Sequence, residues 1–304
     1  MLNDRQKNKI KSIIEERDFW ISLYEANNFT RGLVLPLVRY FTNENKIIPI
    51  IDDLLDCELE KNHDPKVLFR GNSVTTKVID YYLSIEGSDY LKEMIQPFID
   101  KVCKTAVSFE INPQLCSQSN LDENKKQLEL LGMELITKIY KSANSMPDSL
   151  KKLFYLIRTK IESHYCTSQY SHISVTCFLF LRFFCPAILN PQLHSLRIKA
   201  SLNRYCFRNL TVLAKVLQNI ANGVCFGEKE LYMVVMNNFV ATCIPKILAF
   251  VRKVSSVDHL INMTSTKLDI DCTLELSLFV SHLLQNVNEA SFNKDLDEFL
   301  ENMT

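Results

Sequence analysis

An all-α fold is predicted by three observations: a large apolar fraction, a scarcity of turn-forming residues, and apolar positions that recur at helical spacing. Of 304 residues, 47% are hydrophobic and 23% charged, so the chain can bury a sizeable core in one large domain or two closely packed ones. Only 6 glycines and 9 prolines are spread over that length, too few for the many tight turns of a sheet protein. Sets such as Leu33, Leu35, Leu37, Val38 and Phe41 place apolar side chains on one face of a helical repeat.

After that first helix, Ile47 to Leu59 and then Val74, Val78, Ile79, Tyr82 and Leu83 predict two more. Asn72 or Ser73 can cap the latter and Gly87 can end it, which leaves Arg70 in the loop just before a helix N-terminus. Leu68 and Phe69 read as anchors against the core. Arg70 and Gly71 follow where the backbone must turn, so the guanidinium is expected to project outward from a braced loop. Asn112-Pro113 and the polar run 117–126 read as a connection before a helix from about Gln127 to Lys141, and 144–148 breaks the chain again. Pro147 and Asp148 then start a helix through Leu153, Leu156, Ile157 and Ile161.

Between Ser171 and Phe184 nearly every face is apolar, which predicts a helix central to the bundle that Pro186 stops or kinks. Arg182 is the only charged residue between His172 and Leu193. Burial there would place a permanent cation in a low-dielectric core, where it must be fully hydrogen-bonded and so braces something. The stretch from Asn209 to Asn222 predicts a further helix, with Leu210, Leu213, Leu217 and Ile220 on one face and Lys215, Gln218 and Asn222 on another.

Charge and chemistry narrow the function classes. The 35 basic residues balance the 35 acidic ones, which argues against a general nucleic-acid binder. No Asp or Glu occurs from Ser163 to Gly227, whereas Arg182, Arg197, Lys199, Arg204, Arg208 and Lys215 all do, an asymmetry able to steer an acidic partner to one face. The ten cysteines form no C-x-x-C pair, which suits reduced, mostly buried thiols and a cytoplasmic location. His63, His164, His172, His194, His259 and His282 show no metal-ligand spacing, so no metal is expected. Neither a G-x-S-x-G elbow nor a phosphate-cradling G-x-x-x-x-G-K-[ST] loop occurs, which disfavours a metabolic enzyme with its own active site. The N-terminal residues are polar, and no uninterrupted apolar run approaches the roughly 18 residues of a membrane span.

Four ordered blocks resemble the catalytic domain of Ras GTPase-activating proteins. Leu68-Phe69-Arg70-Gly71-Asn72-Ser73 is similar to the family's arginine-finger loop, and Phe180-Leu181-Arg182-Phe183-Phe184-Cys185-Pro186-Ala187-Ile188-Leu189-Asn190-Pro191 to its signature helix and exit. Leu213-Ala214-Lys215-Val216-Leu217-Gln218-Asn219-Ile220-Ala221-Asn222 resembles a third block, and Phe226-Gly227-Glu228-Lys229-Glu230-Leu231-Tyr232-Met233 a fourth. Cys185 stands where many relatives have Asn, and Thr75 and Thr76 follow the finger with little expected effect on it.

The resemblance implies an all-helical GTPase activator with a central catalytic part over 40–254 and a smaller helical part from 1–39 and 255–304. It implies that Arg70 is the finger inserted in trans, helped by its main-chain carbonyl, which in this family holds the GTPase's catalytic glutamine, and that Arg182 hydrogen-bonds to carbonyls of the finger loop. Leu68, Phe69, Gly71, Leu181, Lys215, Gln218, Asn222 and Lys229 map to positions that support the loop or meet the GTPase. No cofactor of its own is implied, because a Ras-like partner carries the GTP and Mg, and action is expected at the membrane where that partner resides. A non-catalytic small-GTPase-binding scaffold of the same fold is the alternative, and Ras and Rap remain alternative partners.

Overall fold

A computed structural model describes residues 2–26, 30–62, 64–65, 67–198, 204–256, 270–286 and 293–302. Lys66 of the finger-like block, Lys199 of the acid-free stretch, His63 and His259 lie outside them. Among the described residues the regular structure is entirely helical. The chain divides into two compact units, Met1–Ile85 with Asn262–Thr304, and Glu86–Ile261. By packing, residues 40–85 group with the chain ends, whereas the family-derived boundary assigns them to the central part.

The first unit holds α1 (Asp4–Ile14), α2 (Arg17–Glu25), α3 (Arg31–Asn43), α4 (Ile47–Lys61) and α5, which runs over Val74–Glu86. Two C-terminal helices described below as α13 (Cys272–Gln285) and α14 (Lys294–Glu301) belong with them. α3 lays Leu33, Leu37, Val38 and Phe41 into the core and packs along α13, which contributes Leu276, Phe279, Val280 and Leu283. Phe19 of α2 meets Phe279 edge-on at 6.3 Å, and Trp20 meets Phe41 at 5.6 Å while its indole N–H donates to the Ile14 carbonyl at 3.0 Å. A buried indole keeps its stability only with such an acceptor. Gly32 leaves room for a side chain of α13: a Cβ there would lie 2.2 Å from the His282 ring.

The second unit contains α6 (Ser88–Lys104), α7 (Leu121–Lys141), α8 (Asp148–Tyr165), α9 (Ser168–Thr176), a π-helical stretch over Cys177–Phe184, α10 (Cys185–Leu189), α11 (Cys206–Asn222) and α12 (Asn237–Val254). α11 packs against α6, α7, α9, α10, the π-helical stretch and α12, so it is the hub. Phe180 and Phe184 close on Phe250 of α12 at 6.2 and 6.1 Å, and the Tyr90 hydroxyl shares a 2.6 Å hydrogen bond with Ser142.

Three expectations are corrected here. α7 begins at Leu121, inside the run read as a connection, because Asp122 and Glu123 favour a helix N-terminus and buried Asn124 donates to the Glu110 carbonyl at 2.7 Å. The helix also continues past Pro186 to Leu189. The Cys185 N–H donates to the Phe180 carbonyl five residues back, and this wider register carries Pro186 into the first turn of α10, where a missing N–H costs nothing. Not all cysteines are free thiols: Cys103 of α6 and Cys206 of α11 are bonded, their Cα atoms 4.5 Å apart because the two helices pack together. The compartment argument from ten reduced thiols loses that pair.

Finally, Ser168–Leu189 and Glu228–Val254 reach membrane-spanning length and apolarity once helices rather than uninterrupted runs are counted. In the first, 67% of the apolar window is buried inside the unit, as for a core helix. In the second, α12 buries Phe239, Val240, Cys243, Ile247 and Phe250 on one face, while Thr242, Arg252 and Lys253 on the other are exposed, which is an amphipathic pattern. Replacing Phe180 by Ala is expected to lower unfolding free energy by about 3–5 kcal/mol, measured by chemical denaturation, since the ring is 1% exposed amid other rings.

Candidate functional site

The loop carrying Arg70 is held from both ends within the first unit. On its N-terminal side the Val67 N–H donates to the Asp64 carbonyl at 3.3 Å and the Arg70 N–H to the Val67 carbonyl at 3.1 Å. Leu68 and Phe69 are buried, as expected of anchors, while Arg70 and Gly71 are exposed. The sharp turn, however, is made by Phe69 and not by Gly71. Phe69 has φ 61°, a left-handed conformation that costs a non-glycine residue about 1–2 kcal/mol. Burying its ring is worth about 1.5–3 kcal/mol, enough to hold that turn and to point the next residue out of the core. Gly71 shows no positive φ, and a Cβ on it would meet nothing within 4 Å.

On the C-terminal side two threonines do what the sequence reading did not assign to them. The Thr76 N–H donates to the Ser73 hydroxyl at 3.2 Å and the Ser73 N–H to the Thr76 hydroxyl at 2.9 Å, a reciprocal cap at the start of α5. The Thr76 hydroxyl also reaches the Ser73 and Gly71 carbonyls at 3.0 and 3.3 Å. Thr75 donates to the Leu54 carbonyl at 3.0 Å and so ties α5 to α4. Both side chains are fully buried.

The remaining candidates lie in the second unit. Arg182 and Leu181 sit on the π-helical stretch and are half-buried, while Phe180 and Phe183 beside them are buried. The expectation of a cation enclosed in the core is therefore corrected: Arg182, like Leu181, keeps part of its surface open. On α11 the exposed and half-exposed positions Thr211, Lys215, Gln218 and Asn222 form one stripe opposite Leu210, Leu213, Leu217 and Ile220. Lys215 pairs with Glu230 and donates to the Tyr232 hydroxyl at 3.4 Å. That contact raises the Lys215 pKa, chiefly through the hydrogen bond to Glu230.

Lys229 is exposed on the adjoining 3₁₀ stretch Glu228–Met236, whose helical path is broken at Glu230 (φ −140°, ψ 58°). Asn237 clamps the foot of this stretch by accepting from the Phe226 N–H at 2.8 Å and donating to the Phe226 carbonyl at 3.0 Å. Cys185, the departure in the signature exit, is buried with its thiol pKa pushed up to about 12 by desolvation, which makes it a packing residue.

Two further residues attach to this stripe. Arg208 donates through Nε to Glu110, a carboxylate only 4% exposed. Burial opposes ionisation of Glu110, but hydrogen bonds from Arg208 and from the backbone N–H groups of Asn112 and Ile111 outweigh it and hold the carboxyl below its ordinary pKa. Sequence spacing carried no signal for this pair, since its members lie far apart in the chain.

Residues 50–127 and 116–222 match the family described as GTPase-activator protein for Ras-like GTPase, a span that takes in both arginines and the α11 stripe. The chain belongs to the Ras GTPase-activating protein family. It is 34% identical over 257 residues to the Dictyostelium discoideum protein named probable Ras GTPase-activating-like protein ngap, covering 82% of this chain and 29% of that one. Against Ras GTPase-activating protein 2 of Rattus norvegicus the identity is 34%, covering 66% of this chain and 24% of the relative. Against Ras GTPase-activating protein nGAP of Homo sapiens it is 31%, covering 88% and 23%. The chain thus spans less than a third of the length of these relatives.

Phe69→Ala is expected to cost about 3–5 kcal/mol of stability and Gly71→Ala under about 0.5 kcal/mol in urea titrations, since only the first removes a buried anchor. A lowered carboxyl pKa contributes stability that is complete above the unfolded-state value and lost as pH falls through the folded-state value. The stability gap between the wild-type chain and Glu110→Gln should accordingly be constant above about pH 5 and narrow on further acidification, as followed by denaturant midpoints across pH.

Proposed function

We propose that the chain stimulates GTP hydrolysis by a Ras-like GTPase, with Arg70 entering the partner's active site as an arginine finger. The observation that supports this most directly is the exposed Arg70 beside the buried, left-handed Phe69, in a chain of this family. Hydrolysis spreads negative charge over the phosphate oxygens, and a guanidinium stays charged at any accessible pH while its planar fork addresses two oxygens at once. A mobile ammonium offers neither property.

The chain supplies no nucleotide chemistry of its own in this reading. The partner holds GTP and Mg, and the chain completes its active site, so it acts as an activator and not as an enzyme with its own substrate. Arg182 supports the finger, as the family resemblance implies. Leu68, Phe69 and Gly71 shape the loop, while Leu181, Lys215, Gln218, Asn222 and Lys229 support it or meet the GTPase. All of these residues fall within the stretch 40–254. The stretch from Ser163 to Gly227, which holds α11 and no Asp or Glu, is the part suited to steer toward an acidic GTPase surface, and the place of action is the cytoplasmic face of the membrane that carries the partner. Ras is the first partner to test and Rap the second.

Single-turnover hydrolysis of GTP by Ras with catalytic amounts of the chain tests this reading. Wild-type protein is expected to accelerate the reaction, within the roughly 10³- to 10⁵-fold range established for arginine fingers acting on Ras. Arg70→Ala should lose about 10³-fold in kcat with binding retained, and Arg182→Ala about ten- to a hundredfold, because a support orients the finger without replacing it. Binding without acceleration of either Ras or Rap would assign the chain to the scaffold alternative, and activity indifferent to Arg70→Ala would remove the finger from this position.

A further inference from the structure

We propose that Thr76 is a positioning residue for Arg70, its buried hydroxyl holding the chain that follows the finger so that guanidinium and main-chain carbonyl reach the partner from one fixed direction. The inference rests on the arginine-finger reading and adds to it a residue outside the finger-like block, one that acts from the core and not by touching the GTPase.

Three consecutive peptide groups converge on one oxygen. The Ser73 N–H donates to Thr76 Oγ1 at 2.9 Å, which fixes the peptide between residues 72 and 73. The carbonyls of Gly71 and Ser73, which belong to the peptides on either side, lie 3.3 and 3.0 Å from the same atom. A hydroxyl has a single proton, so those two carbonyls share it, while a lone pair takes the amide. The oxygen itself is a fixed point. Thr76 is 0% exposed, its β-branched side chain is restricted at χ1 in a helix, and the neighbouring Thr75 hydroxyl ties α5 to the Leu54 carbonyl of α4 at 3.0 Å.

On the other side the Arg70 N–H is bonded to the Val67 carbonyl at 3.1 Å. The one peptide between these two anchorages joins Arg70 to Gly71 and carries the Arg70 carbonyl. Peptide units are planar, so its orientation is set by the torsions on either side, and with both neighbouring peptides held it has little room to swing. Sterics alone would not achieve this. Glycine torsions are the least restricted of any residue, and a Cβ at position 71 would meet nothing within 4 Å. Limits on the Gly71 backbone therefore come from hydrogen bonds, and Thr76 supplies one of them. The Arg70 side chain leaves from the same backbone, so the direction of its Cα–Cβ bond is fixed together with the carbonyl. A displacement of about 1 Å at a reacting centre costs on the order of a hundredfold in rate, so a small release of this loop has a large kinetic effect.

Steady-state kinetics with Ras·GTP as the titrated substrate tests this, or with Rap·GTP if the wild-type chain accelerates only Rap. The variants are Thr76→Val, which keeps the shape and deletes the hydroxyl, Thr76→Ser, which keeps the hydroxyl, and Arg70→Ala, with thermal unfolding measured alongside and rates referred to the folded fraction. Thr42→Val is the stability control, because it deletes another buried hydroxyl, one on α3 that donates to the Val38 carbonyl at 2.6 Å and is no part of the loop. Thr76→Val is expected to lower kcat about five- to thirtyfold with KM within about twofold, the signature of an interaction expressed only in the transition state. Thr76→Ser should stay within about threefold of wild type in kcat, and Thr42→Val within about twofold. Thr76→Ala, a better helix former, carries the same expectation as Thr76→Val should the latter fold poorly. An unchanged kcat in folded Thr76→Val or Thr76→Ala, an equal loss in Thr42→Val, or no recovery in Thr76→Ser would overturn the proposal, while a loss in Arg70→Ala leaves the finger reading intact. Activity indifferent to Arg70→Ala, or no acceleration of either Ras or Rap, would overturn that reading and this proposal with it.

Discussion

Burial of one face of α11 is the constraint on which the larger unit depends. Six helical elements pack against this helix, and Leu210, Leu213, Ala214, Leu217 and Ile220 are buried among them. Side chains of an α-helix repeat every 3.6 residues, so fixing these positions inside fixes Thr211, Lys215, Gln218 and Asn222 outside as a straight row. The backbone that carries the polar stripe is thereby held by the core beneath it. A surface loop with the same residues would have to lose backbone entropy on meeting a partner, at a cost of about 1–2 kcal/mol per residue ordered. The helix has met that cost during folding.

The loop of the first unit reaches a comparable rigidity by different means, because a loop has no repeat to exploit. Phe69 adopts a conformation unfavourable for a residue with a Cβ, and the buried ring holds it there. Thr76 and Ser73 then satisfy the backbone donors that the start of α5 leaves open, and Thr75 fastens that helix to α4. Arg70 stands between two fixed points separated by few residues. Its exposure follows from the burial of its neighbour, and this is the arrangement that a residue acting outside its own chain requires.

Much of this was legible in the sequence, and the parts that were not share a physical reason. Apolar spacing marked the helices at Leu33 to Phe41, Ile47 to Leu59, Val74 to Leu83 and Asn209 to Asn222, because periodicity is a local property of each segment. The outward course of Arg70 was legible too, although assigned to the wrong hinge: glycine is the default guess for a turn, and nothing local shows that Phe69 has a core pocket able to hold a left-handed backbone. Pro186 read as a stop or a kink because the sequence carries no mark of a π-helical register, and Arg182 read as enclosed because its neighbours are apolar. The widened turn carried Pro186 through the helix, and Arg182 is only half-buried. The bond between Cys103 and Cys206, like the pair Glu110 and Arg208, depends on which helices lie side by side, and spacing along the chain does not encode that.

The ion pairs around α11 are better understood as devices of orientation than of stability. Glu110 is buried and Arg208 is partly open to solvent, so the loss of hydration offsets much of their attraction, and Lys215 with Glu230 is more exposed still. Replacing Glu110 and Arg208 together by apolar residues of similar shape would sacrifice little folding energy on that account. It would, however, remove a guanidinium that Glu110 holds in one place, and with it the link between a packed backbone segment and a cation near the surface. A charge whose position matters to a partner needs an anchor of low entropy. In this fold the anchor is a carboxylate stitched to α7 and α11, one step behind the residues that face solvent.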